Sequence, residues 1–439
     1  MMMEWEKLLT KKRLGKNSPE DLESARTCFQ RDYDRIVFSS PFRRLKDKTQ
    51  VFSLPQSDYL RTRLIHSIEV SCVGRSLGAR VGYEIIDRHH LKFNPSDFGD
   101  IVSAACLAHD IGNPPFGHAG EDAIRSGFKS WYKTTETCLN EWEEADFNLF
   151  EGNAQGFRIM THLEMQPREG GMQLTYPTLA AFTKYPRESY INDSILNGYS
   201  GKSVAKYGFF QSEKELFAEV ADEIGLIRRS QKVAWWARHP LAFLVEAADD
   251  ICYRIVDVED GCRMGYITFG RAKELLNAIA QCSEDDLQLQ ANSDDEKIKY
   301  LRDRAINQLV KDVAEIFLER EPELLAGEFD SELVTISKYA DVLAQCQLET
   351  VEKVITHPDV VSLRIAGYEV LGNLFADFAE GVLLRSEKGL MFKQMLPKQY
   401  QKTDQSYYQQ ILQITDYISG MTDSYATNLF RKFKGIALK

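Results

Sequence analysis

The stretch Cys106–Glu121, CLAHDIGNPPFGHAGE, constrains this chain more than any other, because it obliges a helix to stop on polar side chains. The run leading into it, IVSAACLAHD, is apolar and Ala-rich, and Gly112, Pro114 and Pro115 cannot continue a helix. His109 and Asp110 therefore stand at a helix tip. After a short rigid loop, His118 and Glu121 lie three apart at the start of the next helical run, on one face and within hydrogen-bonding reach. Adjacent His and Asp side chains reach one cation together only if a helix end holds their backbone, and the breakers supply that geometry. A His-Asp pair alone is a weak signal, since such dipeptides arise by chance. Its company decides.

Two further helices carry polar residues in apolar surroundings. In DYLRTRLIHSIEVSCVGRSLGARVG, Leu60, Leu64, Ile68, Cys72 and Leu77 recur at helical spacing with His66 among them. A single helical His is more often a satisfied core residue than a ligand. In HPLAFLVEAADDICYRIVDVEDG, Pro240 fits a first turn and Gly261 a terminus, while Asp249, Tyr253 and Asp257 are spaced four apart on one stripe. The rest of that helix is largely apolar, through Leu244, Val245, Ala248, Ile251, Cys252, Ile255 and Val256. Buried carboxylates are costly unless a metal or a hydrogen-bond donor compensates, so the stripe points at a site. The alternative is a solvated edge holding Glu246, Asp250, Asp257 and Asp260.

Elsewhere the residues leave choices open. Arg43, Arg44, Lys46 and Lys48, with Gln50 just beyond, read most simply as a solvated basic turn. Lys184, Arg187 and Lys206 sit among tyrosines and phenylalanines in a loop-rich stretch, which is either a lid over an anionic ligand or a surface loop. From about Arg263 the chain alternates amphipathic helical runs with short breaks, of which SEDDLQLQANSDDEK is the clearest exposed linker. Tyr417, Asp423 and Tyr425 near the C-terminus close the pocket or form an oligomer contact. Strand-like alternation is scarce, and there is no fixed repeat, Gly-rich phosphate loop or heptad run, so the expected class is all-α.

The 439 residues allow one large or two ordinary domains, with apolar content ample for a sizeable core. No run approaches the roughly 18 to 20 apolar residues of a membrane span, and the N-terminus lacks a signal-peptide pattern, so the expectation is a cytoplasmic protein with no membrane association. The eight cysteines form no CxxC pair, which argues against a zinc ribbon or disulfide scaffold and for reduced, mostly buried thiols. A net charge of −11 repels polyanions and disfavours binding along duplex DNA. A phosphate ligand would need a local cluster of Lys, Arg or metal.

His66, His109 with Asp110, and Asp249 give the ordered pattern H…HD…D, all on predicted helices. Two imidazoles and two carboxylates suit one divalent first-row ion such as Mn²⁺, Fe²⁺, Co²⁺ or Ni²⁺, with Mg²⁺ less comfortable beside nitrogen. Four protein ligands leave positions for water and a phosphate oxygen, which describes a hydrolytic site. The residues resemble the HD-domain phosphohydrolases. SPFRRLKDKTQVF, RTRLIHSIEV, AHDIGNPPFGHAGE, FEGNAQGFR, EAADDICY and DYISGMTDSYA resemble the blocks of the deoxyguanosine triphosphate triphosphohydrolase family, from about Asp32 to Lys434.

That resemblance implies a helical HD fold and cleavage of a deoxynucleoside triphosphate at the α-phosphorus into deoxynucleoside and intact triphosphate. It implies His66, His109, Asp110 and Asp249 as ligands of one metal ion, and His118 with Glu121 as the catalytic pair. It places Gln50, Tyr253 and Asp257 at the deoxyribose, where the Tyr253 ring would exclude a ribose hydroxyl. Arg63, Lys184 and Lys206 are candidates for the triphosphate, while Asn153 either supports the site or caps its loop. The organisation expected is an N-terminal helical segment 1–35, an HD core 36–262 and a helical region 263–439 that completes the pocket and supplies oligomer contacts. A symmetric homo-oligomer, a hexamer among the options, and a regulatory dNTP or single-stranded DNA also follow from the resemblance. Two rival readings are a phosphodiesterase or phosphatase acting on another nucleotide, and a dNTP- or DNA-sensing protein with little turnover.

Overall fold

The computed structural model describes residues 2–16, 26–50, 61–135, 138–383, 386–402 and 404–436. The all-α expectation holds: among these residues the chain forms helices joined by loops, with isolated β-bridges and no sheet. The expected helix start around Asp58 and the end of the SPFRRLKDKTQVF block lie outside the described residues.

Helix α1 (Cys28–Val37) starts at a capping box, in which the Thr27 side chain accepts from the Gln30 amide and the Gln30 side chain accepts from Thr27. Helices α2 (Arg63–His89) and α3 (Pro95–Ala108) form the most extensive helix pair. Their closeness is written as Gly74, Gly78 and Gly82, four apart on α2. A Cβ added at Gly78 would lie 2.7 Å from the Phe98 carbonyl oxygen, and one at Gly74 would lie 2.5 Å from the Cys106 sulfur. Pro95 and the Asn94–Asp97 capping box start α3, and it stops at His109 as the breakers dictate.

Beyond the loop lie α4 (Gly117–Tyr132), α5 (Gly152–Arg158) and α6 (Tyr176–Phe182). Helix α7 (Pro240–Arg263) is buried along most of its length, as its composition predicted. It packs on α2, α3 and the long α8 (Asp294–Leu325). A second apolar core joins α4 to α9 (Pro358–Leu383), α10 (Tyr407–Ser419) and α11 (Asp423–Phe433).

Three local expectations change. SEDDLQLQANSDDEK is not a bare linker: Ser283 caps a helix over Glu284–Gln290, and Asp294 opens α8. The edge of α7 is not solvated, since Glu246, Asp257 and Asp260 are buried, with Glu246 bound to Arg238 at 2.6 Å and Asp260 paired with Arg61. Only four of the thiols, Cys28, Cys106, Cys252 and Cys346, are buried, while Cys72 and Cys138 are exposed.

Asp146, on the helix Glu141–Asn148, ties the second core together: its Oδ2 accepts from the Tyr408 hydroxyl at 2.6 Å and the Gln211 amide at 2.8 Å. Burial pushes its carboxyl up to about 7. The folded state therefore holds a proton that the unfolded state, with its ordinary carboxyl, releases. The resulting stabilisation is fully present below about pH 4 and is lost as pH rises through about 7. Asp146→Asn is thus expected to match the parent near pH 4 and to exceed it by on the order of 4 kcal/mol at pH 8. Denaturant midpoints at the two pH values check this, and an unchanged difference between them would refute it.

Candidate active site

Arg63 and His66 stand on the first turn of α2, His109 and Asp110 at the tip of α3, and Asp249 in the middle of α7. One ligand atom from each of His66, His109 and Asp249 lies within 4.8 Å of the others. Asp249 Oδ1 is 3.2 Å from His66 Nε2 and 3.4 Å from His109 Nε2. His109 Nδ1 sits 2.6 Å from the Cys106 carbonyl oxygen, which can only accept. Nδ1 therefore carries the proton, and the Nε2 lone pair faces the cluster, as metal-binding imidazoles are oriented. Asp110 stands at the edge of this trio. Its Oδ2 is 3.6 Å from His109 Nε2 and receives the Arg63 guanidinium at 2.7 Å, and its Oδ1 accepts from Asn113. The donor chemistry and spacing suit a divalent ion.

Charge balance holds these carboxylates ionised. Burial disfavours the charge on Asp249, but the Lys184 ammonium 2.9 Å away and the two imidazoles hold its carboxyl well below the usual range. At Asp110 burial likewise opposes ionisation and Arg63 outweighs it, holding the group at about 2.

The loop after α3 delivers the second pair. Phe116 and Gly117 both adopt the left-handed conformation, at φ 62° and 57°. A Cβ at Gly117 would also fall 2.4 Å from Arg63 Nη2, so a side chain there would push the guanidinium off Asp110. This turn starts α4 with His118 and Glu121 on one face, His118 Nδ1 lying 2.9 Å from Glu121 Oε2. Glu121 is buried and its other oxygen accepts from the Gly152 amide at 2.8 Å, whereas 76% of the His118 side chain is exposed. The imidazole is thus anchored from behind with its far nitrogen open.

Both groups open onto one cavity of about 390 Å³. Gln50, Arg63, Asn153, Lys184, Lys206 and Tyr253 line it, as do His66, His109 and Asp249 with Asp110 and His118. The loop carrying Lys184 and Lys206 is therefore a wall of the site. Asp257 is absent from that wall. It is buried one turn beyond Tyr253, where burial pushes its carboxyl up to about 8 and its Oδ2 has no partner among the described residues. Asp250, two turns earlier on the same face of α7, lines the wall instead.

Sequence reasoning missed Glu151, whose Oε1 accepts from Lys206 Nζ at 3.0 Å and Asn153 Nδ2 at 2.8 Å. The signal was present in FEGNAQGFR, but an acid before a helix reads as an ordinary cap. It also missed Val360, Leu363 and Arg364 of α9, which reach the cavity from a region of no recognisable motif.

The solvated-turn reading of the basic run fails at Lys48, which is buried and donates from Nζ to the carbonyls of Asn113 at 2.6 Å and Ser419 at 2.8 Å. Beside it, Asp423 accepts from Thr49 and from the Phe116 amide at 3.1 Å. These contacts tie α11 to the segments that carry Gln50 and His118. Asp423→Ala strands three donors, each costing about 1 to 3 kcal/mol if it stays buried. We expect a lower melting temperature and a reduced kcat, partly restored by Asp423→Asn. Parental stability and kinetics in the alanine variant would remove the tie.

Comparison with known proteins agrees with this geometry. An HD domain is matched over residues 63–174 and a phosphohydrolase-associated domain over 336–432. A deoxyguanosinetriphosphate triphosphohydrolase-like protein of Synechocystis is 56% identical over 99% of this chain and 100% of its own length. A protein of the same description from Pseudomonas aeruginosa is 38% identical over 99% of each chain. The chain belongs to the deoxyguanosinetriphosphate triphosphohydrolase family of HD-domain phosphohydrolases. A member from Salmonella paratyphi A, a deoxyguanosinetriphosphate triphosphohydrolase, is 31% identical over 93% of this chain and 94% of its own. The family assignment makes the cavity that of a hydrolase, and no described helix is long and apolar enough to cross a membrane.

Proposed function

We propose that this chain hydrolyses a deoxynucleoside triphosphate at the α-phosphorus, releasing deoxynucleoside and intact triphosphate. The observation that carries the reading is that the imidazole–carboxylate cluster and the His118–Glu121 pair open onto the same cavity. His66, His109 and Asp249 would hold one divalent ion, Mn, Mg, Fe, Co or Ni, with Asp110 completing the set. When bound, such an ion polarises the α-phosphate and makes water a better nucleophile at neutral pH.

The charge on the wall supports an ion there. Arg63, Lys184 and Lys206 are already paired with Asp110, Asp249 and Glu151, so the wall's cations are largely committed before a triphosphate arrives. A divalent cation supplies further positive charge. Arg63, Lys184 and Lys206 then serve the phosphate oxygens while staying close to their carboxylates.

His118 is the proton donor in this scheme. With Nδ1–H held by the Glu121 carboxylate, the ring is fixed with Nε2 toward the cavity, and the protonated ring gives its Nε2–H to the 5′ oxygen as the bond to the α-phosphorus breaks. Attack at that phosphorus is what lets triphosphate leave whole. At the sugar, Gln50 presents a buried Oε1 with no partner among the described residues, suited to a 3′ hydroxyl, and the Tyr253 ring walls off C2′. Asp257 acts there only if its side chain turns toward the cavity. Asn153 supports the site through Glu151.

The same reading takes residues 36–262 as the HD core and 263–439 as the region that completes the pocket. It extends to a cytoplasmic symmetric homo-oligomer, a hexamer among the options, and to a regulatory dNTP or single-stranded DNA. Incubating the protein with each of the four dNTPs and Mn²⁺ or Mg²⁺ should release triphosphate. Pyrophosphate or orthophosphate as the first product would overturn the point of attack.

A further inference from the structure

A second cavity, of about 490 Å³, lies apart from the one described, between the short helix Ser40–Arg44, the end of α5 and the chain around α10. Cavities of this size hold small organic molecules. Its wall contains a charge without a counterion. Arg44 is half-buried, its Nε is shielded from solvent without a hydrogen-bond partner, and its guanidinium makes no ion pair among the described residues. Burial lowers the affinity of this group for its proton, with Tyr400 and Glu164 opposing, so the site stores an unmet demand for negative charge.

The other charges do not meet that demand. Asp416 on the same wall is already claimed by Arg158, through contacts of 2.9 Å to each of its oxygens. Glu164 accepts from the Ser40 amide at 3.3 Å and makes no ion pair among the described residues. Against it stand Arg44 and Lys402, the latter with no ion pair of its own among the described residues. Gln166 and Gln409 add carboxamides with no hydrogen-bond partner among the described residues. A guanidinium, an ammonium and spare amide donors around one hollow are the groups that bind a phosphate.

We propose that this cavity is a second binding site, for a small phosphate-bearing anion seated on Arg44 and Lys402. The phosphate comes either as free orthophosphate or as the ester of a small polar metabolite whose hydroxyls meet the carboxamides.

Equilibrium dialysis of the full chain against radiolabelled orthophosphate and ribose 5-phosphate, with a chelator present, tests this. Saturable binding is expected, weakened at least tenfold by Arg44→Gln and by Lys402→Gln, and kept in the Lys184→Ala/Lys206→Ala double variant. Tighter binding of ribose 5-phosphate assigns the site to an ester, and equal binding to the free ion. Absence of binding, or loss only in the double variant, overturns the proposal. So does a changed oligomeric mass in Arg44→Gln with phosphate binding intact, since the guanidinium is then an interface group. Lys402, being exposed, keeps the test open if Arg44→Gln does not fold.

Discussion

His118→Ala is expected to lower kcat by about 10² to 10⁴ while leaving metal content and dNTP affinity within a few-fold of the parent. The side chain is 76% exposed and, among the described residues, hydrogen-bonds to Glu121 alone, so its removal opens no core cavity. Glu121 keeps its bond from the Gly152 amide and stays ordered. The loss should therefore fall on turnover rather than on folding. Because the proton goes to a poor leaving group, a substrate analogue with a more acidic leaving alcohol should be cleaved with a smaller penalty. Single-turnover kinetics on both substrates, beside metal analysis, make the comparison. Equal turnover in the variant removes His118 from the chemistry, and an equal penalty on both substrates removes it as the proton donor.

Asp249→Ala is the second large effect: bound metal should fall at least tenfold after dialysis, and turnover should fall with it. Asp249 Oδ1 is the atom shared by both imidazoles, so its loss dissolves the cluster rather than trimming it. The same change leaves the half-buried Lys184 ammonium without its carboxylate, which lowers stability as well. Asp249→Asn separates the two consequences, since the amide oxygen still accepts from Lys184 but is a far weaker metal ligand. Elemental analysis and thermal melting of both variants read them independently. Full metal occupancy in the alanine variant would count against the assignment of this ligand.

Much of the site is legible because its chemistry is local. The stop after His109, the i, i+3 relation of His118 and Glu121, and an acid in the apolar surroundings of α7 are each contained in one short window. The glycine ladder of α2, by contrast, acquires meaning only when Phe98 and Cys106 are found against it. Asp257 and Asp250 show the limit: they share one face of α7 two turns apart, and only the position of the cavity along that helix decides which of them reaches it.

The sequence by itself determined the helical class, the helix ends, and which residue types stand ready to bind a cation or move a proton, because capping, breaking and periodicity act within a turn or two of the chain. Only the tertiary structure decided that Lys48 is buried beneath Ser419, that Lys206 answers Glu151, and that α9 supplies a wall. Those relations join segments tens to hundreds of residues apart. They are set by how whole helices pack, and packing depends on every side chain along the contact rather than on any one window.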